Sequence, residues 1–409
     1  MTSPLLRAML VALAVCALPE AALAQAPTDI GTLPGFTRSR PKNINSRGLI
    51  VGQVARPGPD EQAALWTRTS GGYTVEALPA LDGLTRSDAR AFARGNVPVG
   101  FSSLIGGGIS QFRAVVWRDD PSGLRVAVEL EPPPGFLDAQ AFDANRFGMV
   151  VGEAVNSLEI VGGLALRHAV AWVPKPDGEY DVLDLGVPDG FSVSSASGVN
   201  DGGEIVGTAR RLEVDGSQTW AVVVWRRPFK RHGRCHSDTL VLPSHPDLPL
   251  NQNPTISSTG FVVAQADREM PGAPRVTRPL LWRRWGRGFA GPYELPVPAG
   301  FTDAFPSDVG ETGVIVGTAQ VRQATAPTLV ASQAVVWSWA RRGGFRPMLL
   351  ASPAGSALVT ASRLNERGDV VGTALDPAAG TSGGLIWKRA ASGRWCPPTR
   401  HLEPRTQEP

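Results

Sequence analysis

Apolar residues in this chain come in short bursts rather than in helical stripes. Runs such as Gly148-Met149-Val150-Val151-Gly152 and Ala334-Val335-Val336-Trp337 are separated by clusters of Gly, Pro, Asn and Asp. No segment sustains a helical period, so the pattern predicts short strands joined by turns. The bursts also recur. INSRGLIVG (Ile44–Gly52) returns as DANRFGMVVG (Asp143–Gly152), VNDGGEIVG (Val199–Gly207), VGETGVIVG (Val309–Gly317) and LNERGDVVG (Leu364–Gly372), with weaker copies FARGNVPVG (Phe92–Gly100) and ISSTGFVVA (Ile256–Ala264). The small residues that end these copies lie 48 to 57 residues apart, and each is followed 14 to 20 residues later by a tryptophan. Those tryptophans are Trp66, Trp117, Trp172, Trp225, Trp282, Trp337 and Trp387, seven of the 11 in the chain.

Each copy reads as four strands, here a to d. Strand a runs into an Asn-x-x-Gly turn, where glycine takes positive φ readily and asparagine tolerates it. Strand b is the β-branched run, closing on a small residue where another backbone comes near. Strand c ends at the tryptophan. Strand d opens on an aromatic, Tyr73, Tyr180, Tyr293 or Phe345, and closes on segments such as DLGVPDGF (Asp184–Phe191). Four strands per ~50 residues, seven times over, predicts an all-β fold, a seven-bladed β-propeller of four-stranded blades. DIGTLPGF (Asp29–Phe36) matches the end of a strand d and is expected to join the last blade, whose own candidate, RWCPPTRHLE (Arg394–Glu403), carries two prolines.

The pattern Ile-Asn-x-x-Gly-x-Ile-Val-Gly, followed by an x-Ala-φ-φ-Trp strand and a DLGxxPGF-like segment, resembles the HAF-repeat family of bacterial extracellular proteins. His168-Ala169 keeps the first two letters of that name; the other copies depart from it. The resemblance spans residues ~29 to 400 and implies an exported repeat protein. It carries over no catalytic residue.

Composition adds compartment and partners. With 409 residues of which 42% are hydrophobic, the chain can bury a large core. Residues 1–24 read as a cleaved signal peptide: Arg7, an apolar run from Ala8 to Leu18, and Ala22-Leu23-Ala24 before Gln25, so that cleavage is expected between Ala24 and Gln25. The run is shorter than the ~20 residues that span a bilayer. A single propeller domain, 25–409, periplasmic or secreted and monomeric, is therefore expected, with no transmembrane segment. A net charge of +3 gives no reason to expect nucleic acid.

Signatures of chemistry are sparse. GTSGG (Gly380–Gly384) reads as a b–c hairpin loop and not as a nucleophile elbow. His232, His236, His245 and Cys235 cluster without completing a metal site, and no cofactor is expected. Cys235 and Cys396 fall in blades almost opposite, too far apart to pair. The recurring tryptophans are expected to pack between blades, and Asn45, Asn145, Asn200 and Asn365 to form turns. One charged feature stands out. The c–d hairpins of the last four copies carry Arg226, Arg227, Lys230, Arg231, Arg283, Arg284, Arg287, Arg341, Arg342, Lys388 and Arg389, a basic sector on one face. The expected function is a non-enzymatic binding module for an anionic envelope or polysaccharide ligand. The alternative is a carbohydrate-active propeller hydrolase or lyase.

Overall fold

A computed structural model describes residues 26–58, 60–106, 109–231, 234–268, 275–322, 329–340 and 344–389, with the side chains of 109 and 227–236 outside that description. Apart from one 3-10 turn at Arg94–Asn96, every regular element among these residues is a strand.

The strands pair as antiparallel meanders in sequence order. The first is Arg38–Ile44, Ile50–Ala55, Glu61–Thr69 and Gly72–Leu78. The second is Arg86–Ala93, Val97–Gly106, Ile109–Asp119 and Arg125–Leu130. The third comprises Asp138–Ala144, Val150–Val161, Leu164–Pro174 and Tyr180–Gly186. The fourth comprises Val193–Val199, Ile205–Leu212, Gln218–Arg231 and Arg234–Val241. Leu250–Ile256, Phe261–Arg268, Val276–Trp285 and Gly288–Glu294 form the fifth. Asp303–Val309, Ile315–Arg322, Leu329–Ala340 and Gly344–Leu349 form the sixth. Among the described residues the last has three strands of its own, Leu358–Leu364, Val370–Asp376 and Thr381–Trp387. Its fourth place is taken from the other end of the chain: Thr28–Asp29 pairs antiparallel with Thr381–Trp387, Thr28 opposite Ile386 and Asp29 opposite Leu385. The N-terminal segment thus does what its likeness to a strand-d ending suggests.

The core lies between meanders, not within them. Buried clusters join each meander to the next, and one of them joins the last to the first through Ile30, Ile44, Ile50, Trp66, Val371 and Ile386. The arrangement is propeller-like. Each recurring tryptophan is at most 2% exposed and belongs to one of these clusters, as the sequence pattern predicts. Six of them also donate from Nε1 to a carbonyl at the end of the preceding meander, for example Trp117 to Pro79 at 2.7 Å and Trp66 to Gly31 at 3.0 Å. The indole of Trp225 has no such partner among the described residues. In the meander before it a β-bulge at Leu185 shifts the register, and Ser194 Oγ donates to Gly186 O at 2.6 Å instead.

The Asn-x-x-Gly turns have the geometry expected of them. Asn145 Oδ1 accepts from the amides of Phe147 and Met149, and Asn365 Oδ1 from those of Arg367 and Asp369. Their amide groups do more, reaching the equivalent turn next door: Asn145 to Asn200 O, Asn200 to Ser257 O, and Asn365 to Asn45 O across the chain's own closure.

Two expectations are corrected. Strand d of the fifth meander opens at Gly288-Phe289, because the chain reverses at Gly286 directly after Trp285; Tyr293 lies near its end, half exposed. GTSGG is mostly strand and not loop: Thr381–Gly384 are paired, and a Cβ on Gly384 would sit 2.9 Å from Ile30 and 3.0 Å from Pro41. The b–c hairpins of the second and third meanders are likewise strand up to Gly106 and from Ile109, and up to Val161 and from Leu164. Residues 394–403, Cys396, and the cleavage residues Ala24 and Gln25 lie outside the described residues.

Candidate functional site

Strand a of every meander carries a β-bulge, and the bulge shapes the passage that these inner strands enclose. The register skips Lys42, Arg90, Phe142, Ser197, Ser307 and Ser362, each ten residues before the small residue that ends its copy. The next residue along includes Asp143, Asp308 and Arg363. Arg363 bridges the passage, 3.0 Å from Asp308 and 3.6 Å from Asp143. Asp143 also accepts from the amide of Val199 and Asp308 from that of Leu364. Burial lifts the Asp143 carboxyl above the usual aspartate range, against the pull of Arg363. Burial opposes the Arg363 charge, yet the two carboxylates raise its guanidinium further.

This triad divides the passage. On one side lie the a–b turns, around a cavity of about 290 Å³ to which every meander contributes. On the other side, where the b–c hairpins and d–a loops emerge, the mouth is cationic. Arg40 and Arg86 each approach the Glu61 carboxylate at 3.9 Å. Arg90 pairs with Asp88 at 3.0 Å and lies 5.2 Å above the Phe101 ring. Lys42 stands among Arg40, Glu61, Asp88 and Arg90 with no hydrogen bond or ion pair among the described residues, and burial pulls its amine below the usual lysine range. Four cations thus surround two carboxylates. Further round the mouth, Arg167 holds Glu153 at 2.9 and 3.0 Å, with Arg210 stacked 4.9 Å over Trp220. Asp267, fully buried, takes Arg275 at 2.6 Å and Thr277 Oγ1 at 2.7 Å.

The basic residues expected on the c–d hairpins are placed differently from one another. Arg226 is ion-paired with Asp238 and donates to Arg287 O at 2.5 Å, and Arg284 is ion-paired with Glu204. These residues and Gly202 line a cavity of about 530 Å³. Arg283 lies 6.0 Å from the Trp285 ring, and Arg389 N donates to Asp369 at 3.3 Å. Lys388 follows the last strand. Arg227, Lys230 and Arg231 are on strand c of the fourth meander by backbone, their side chains outside the described residues, as are Arg341 and Arg342 entirely. The same holds for the side chains of His232, His236 and Cys235; among the described residues no cluster suits a metal ion.

In the sequence the hairpin arginines after each tryptophan draw attention away from Arg40, Lys42, Arg86 and Arg90 on the b–c side. A signal is there nonetheless: aligning the copies on their closing small residue puts Lys42 and Arg90 in one column with Ser197, Ser307 and Ser362.

The class that this geometry defines is a propeller-like, all-β protein built of four-stranded sheets. No family model and no curated protein matches the chain. Solved structures to which it is similar include the β-propeller domain of the Trilobed protease from Pyrococcus furiosus, at 9% identity, over 91% of this chain and 100% of that one, with a TM-score of 0.49. Another is a polysaccharide lyase, the PL25 ulvan lyase, at 12% identity over 87% and 95%, TM-score 0.48. The Hadza microbial sialidase Hz136 is similar at 11% identity over 87% and 66%, TM-score 0.37. Nothing about the activity of this chain follows from them.

Proposed function

We propose that the protein is an exported, seven-bladed propeller of the HAF-repeat kind that binds an anionic carbohydrate or envelope ligand at its b–c mouth. Seven blades are supported by the meanders, by the N-terminal strand in the last of them, and by the core cluster that joins last to first. Export rests on the N-terminal sequence alone.

The observation that carries the ligand class is the uneven charge of the mouth, Arg40, Lys42, Arg86 and Arg90 around Glu61 and Asp88. Half-buried cations without a matching carboxylate attract anions more strongly than solvated ones do. The described hairpin arginines Arg226 and Arg284 support the same function less well, because each is paired with its own carboxylate, Asp238 and Glu204, whereas in the mouth Arg40 and Arg86 share Glu61 at 3.9 Å and Lys42 has none among the described residues. A binding role is favoured over catalysis because the buried carboxylates of the mouth, Asp88, Glu153 and Asp267, are each engaged by an arginine.

The test is retention of the purified chain on immobilised polygalacturonate and on anionic vesicles, with neutral dextran beside them. Retention on the acidic supports that fades as salt rises is expected. Equal retention on dextran, or none on any support, overturns the proposal.

A further inference from the structure

Beside the cationic cluster, on the same side of the passage, a cleft of about 260 Å³ opens between the sixth, seventh and first meanders. Its wall has three chemistries. Arg40 and Lys42 bring positive charge from the first meander. Thr360, Ser362, Thr373, Ser332 and Ser382 bring hydroxyls, and Leu329, Leu358 and Leu375 bring apolar surface. Two of the hydroxyls are unusual. Ser332 and Ser382 are 5% and 6% exposed, and neither Oγ has a hydrogen-bond partner among the described residues. A buried hydroxyl left unpaired costs free energy, as does a half-buried lysine with no ion pair. Polar groups with no partner among the described residues, gathered round one opening beside apolar surface, offer a ligand donors and acceptors together with a hydrophobic wall.

We propose that this cleft is a subsite for a single carboxylated sugar unit. Its carboxylate would sit against Lys42 Nζ and Arg40, its hydroxyls against the serine and threonine Oγ atoms, and one C–H face against the leucines. The cleft is smaller than the ~300–1,000 Å³ typical of drug-sized ligands, which suits one ring and not an extended chain. The inference rests on the anion-binding reading above and narrows it to a place and a sugar.

Glucuronate, glucose and inorganic sulfate are titrated into the purified chain by calorimetry, with Lys42→Met and Thr360→Val beside the unaltered protein. Binding of glucuronate, at least tenfold weaker in Lys42→Met and several-fold weaker in Thr360→Val, is expected, with glucose and sulfate each at least tenfold weaker on the unaltered chain. Lys42→Met removes a charge that the fold accommodates poorly, so it is expected to melt no lower than the parent. Lys42→Arg, keeping the charge, retains more affinity than Lys42→Met. Sulfate binding as well as glucuronate would make the cleft a simple anion site and overturn the sugar proposal. Undiminished binding to Lys42→Met would overturn the placement. If no glucuronate binds while polygalacturonate is still retained, the subsite falls and the wider reading stands. If neither binds, both fall.

Discussion

At the scale of single residues, the repeat's closing glycine has a reason that the sequence leaves hidden. Strand a bulges, and its carbonyl points at the glycine opposite. A Cβ on Gly152 would lie 1.8 Å from Gln140 O, on Gly207 2.0 Å from Ser195 O, and on Gly372 1.9 Å from Thr360 O. The fifth copy has Ala264 there, and it is the copy whose register skips two residues, Asn253 and Pro254, with Asn253 at φ 49°. The wider bulge makes room for the methyl group. Gly152→Ala is therefore expected to destabilise by about 1–3 kcal/mol through overpacking, while Ala264→Gly costs under ~1 kcal/mol through added backbone freedom in the unfolded chain. Urea unfolding midpoints of the two variants check this; equal losses would contradict it. The sequence shows that a small residue recurs, but the bulge that demands it is a matter of pairing between strands.

At the scale of elements, strand positions were legible because each ends on a feature that needs no tertiary context: the Asn-x-x-Gly turn, the small residue, the tryptophan. The fourth strand of the last meander was legible only as a likeness between Asp29–Phe36 and the other strand-d endings. The structure gives that segment weight out of proportion to its two paired residues. Ile30 is 1% exposed, donates to Gly384 O at 3.0 Å, and packs in the cluster that joins first and last meanders. Ser39 Oγ accepts from Gly384 N at 2.7 Å beside it. Ile30→Ala is expected to cost about 2–5 kcal/mol, as for other fully buried aliphatics, and to raise hydrogen exchange first in Thr381–Trp387. Exchange that rises evenly over all meanders would argue that this closure is not the weak seam. Expectations failed at this scale where a turn came early, as at Gly286, or where glycines packed inside a strand, as at Gly383-Gly384.

At the scale of the whole molecule, a buried ion triad joins inner strands from distant parts of the chain. Arg363 ties Asp308 to Asp143 from meanders that are not neighbours, so its loss would leave two buried carboxylates facing each other. Arg363→Met is expected to cost about 3–5 kcal/mol, most of it recovered in the Asp143→Asn background. The pH dependence has a definite sign. A carboxyl raised in the fold binds its proton more tightly there than in the unfolded chain. Its contribution is therefore whole below the ordinary aspartate range and is lost as pH climbs through the raised titration. Thermal melting of Asp143→Asn should show that slope flattened; an unchanged slope would assign the titration elsewhere. The triad was not legible in sequence, because Asp143, Asp308 and Arg363 come from three different repeats and each looks like an ordinary strand polar residue in its own; of the mouth only the Lys42 and Arg90 column was, since Glu61 and Asp88 sit at unrelated positions of their repeats. The hairpin arginines were legible because they cluster in sequence, yet the described ones at 226 and 284 meet carboxylates from other strands. The claim that anions seat at the mouth is tested most directly by one comparison: affinity for polygalacturonate at low salt, measured for Arg40→Gln/Arg86→Gln and for Arg283→Gln/Arg287→Gln. The account predicts at least a tenfold loss in the first and less than twofold in the second. The reverse order would return the ligand to the c–d hairpins and contradict it.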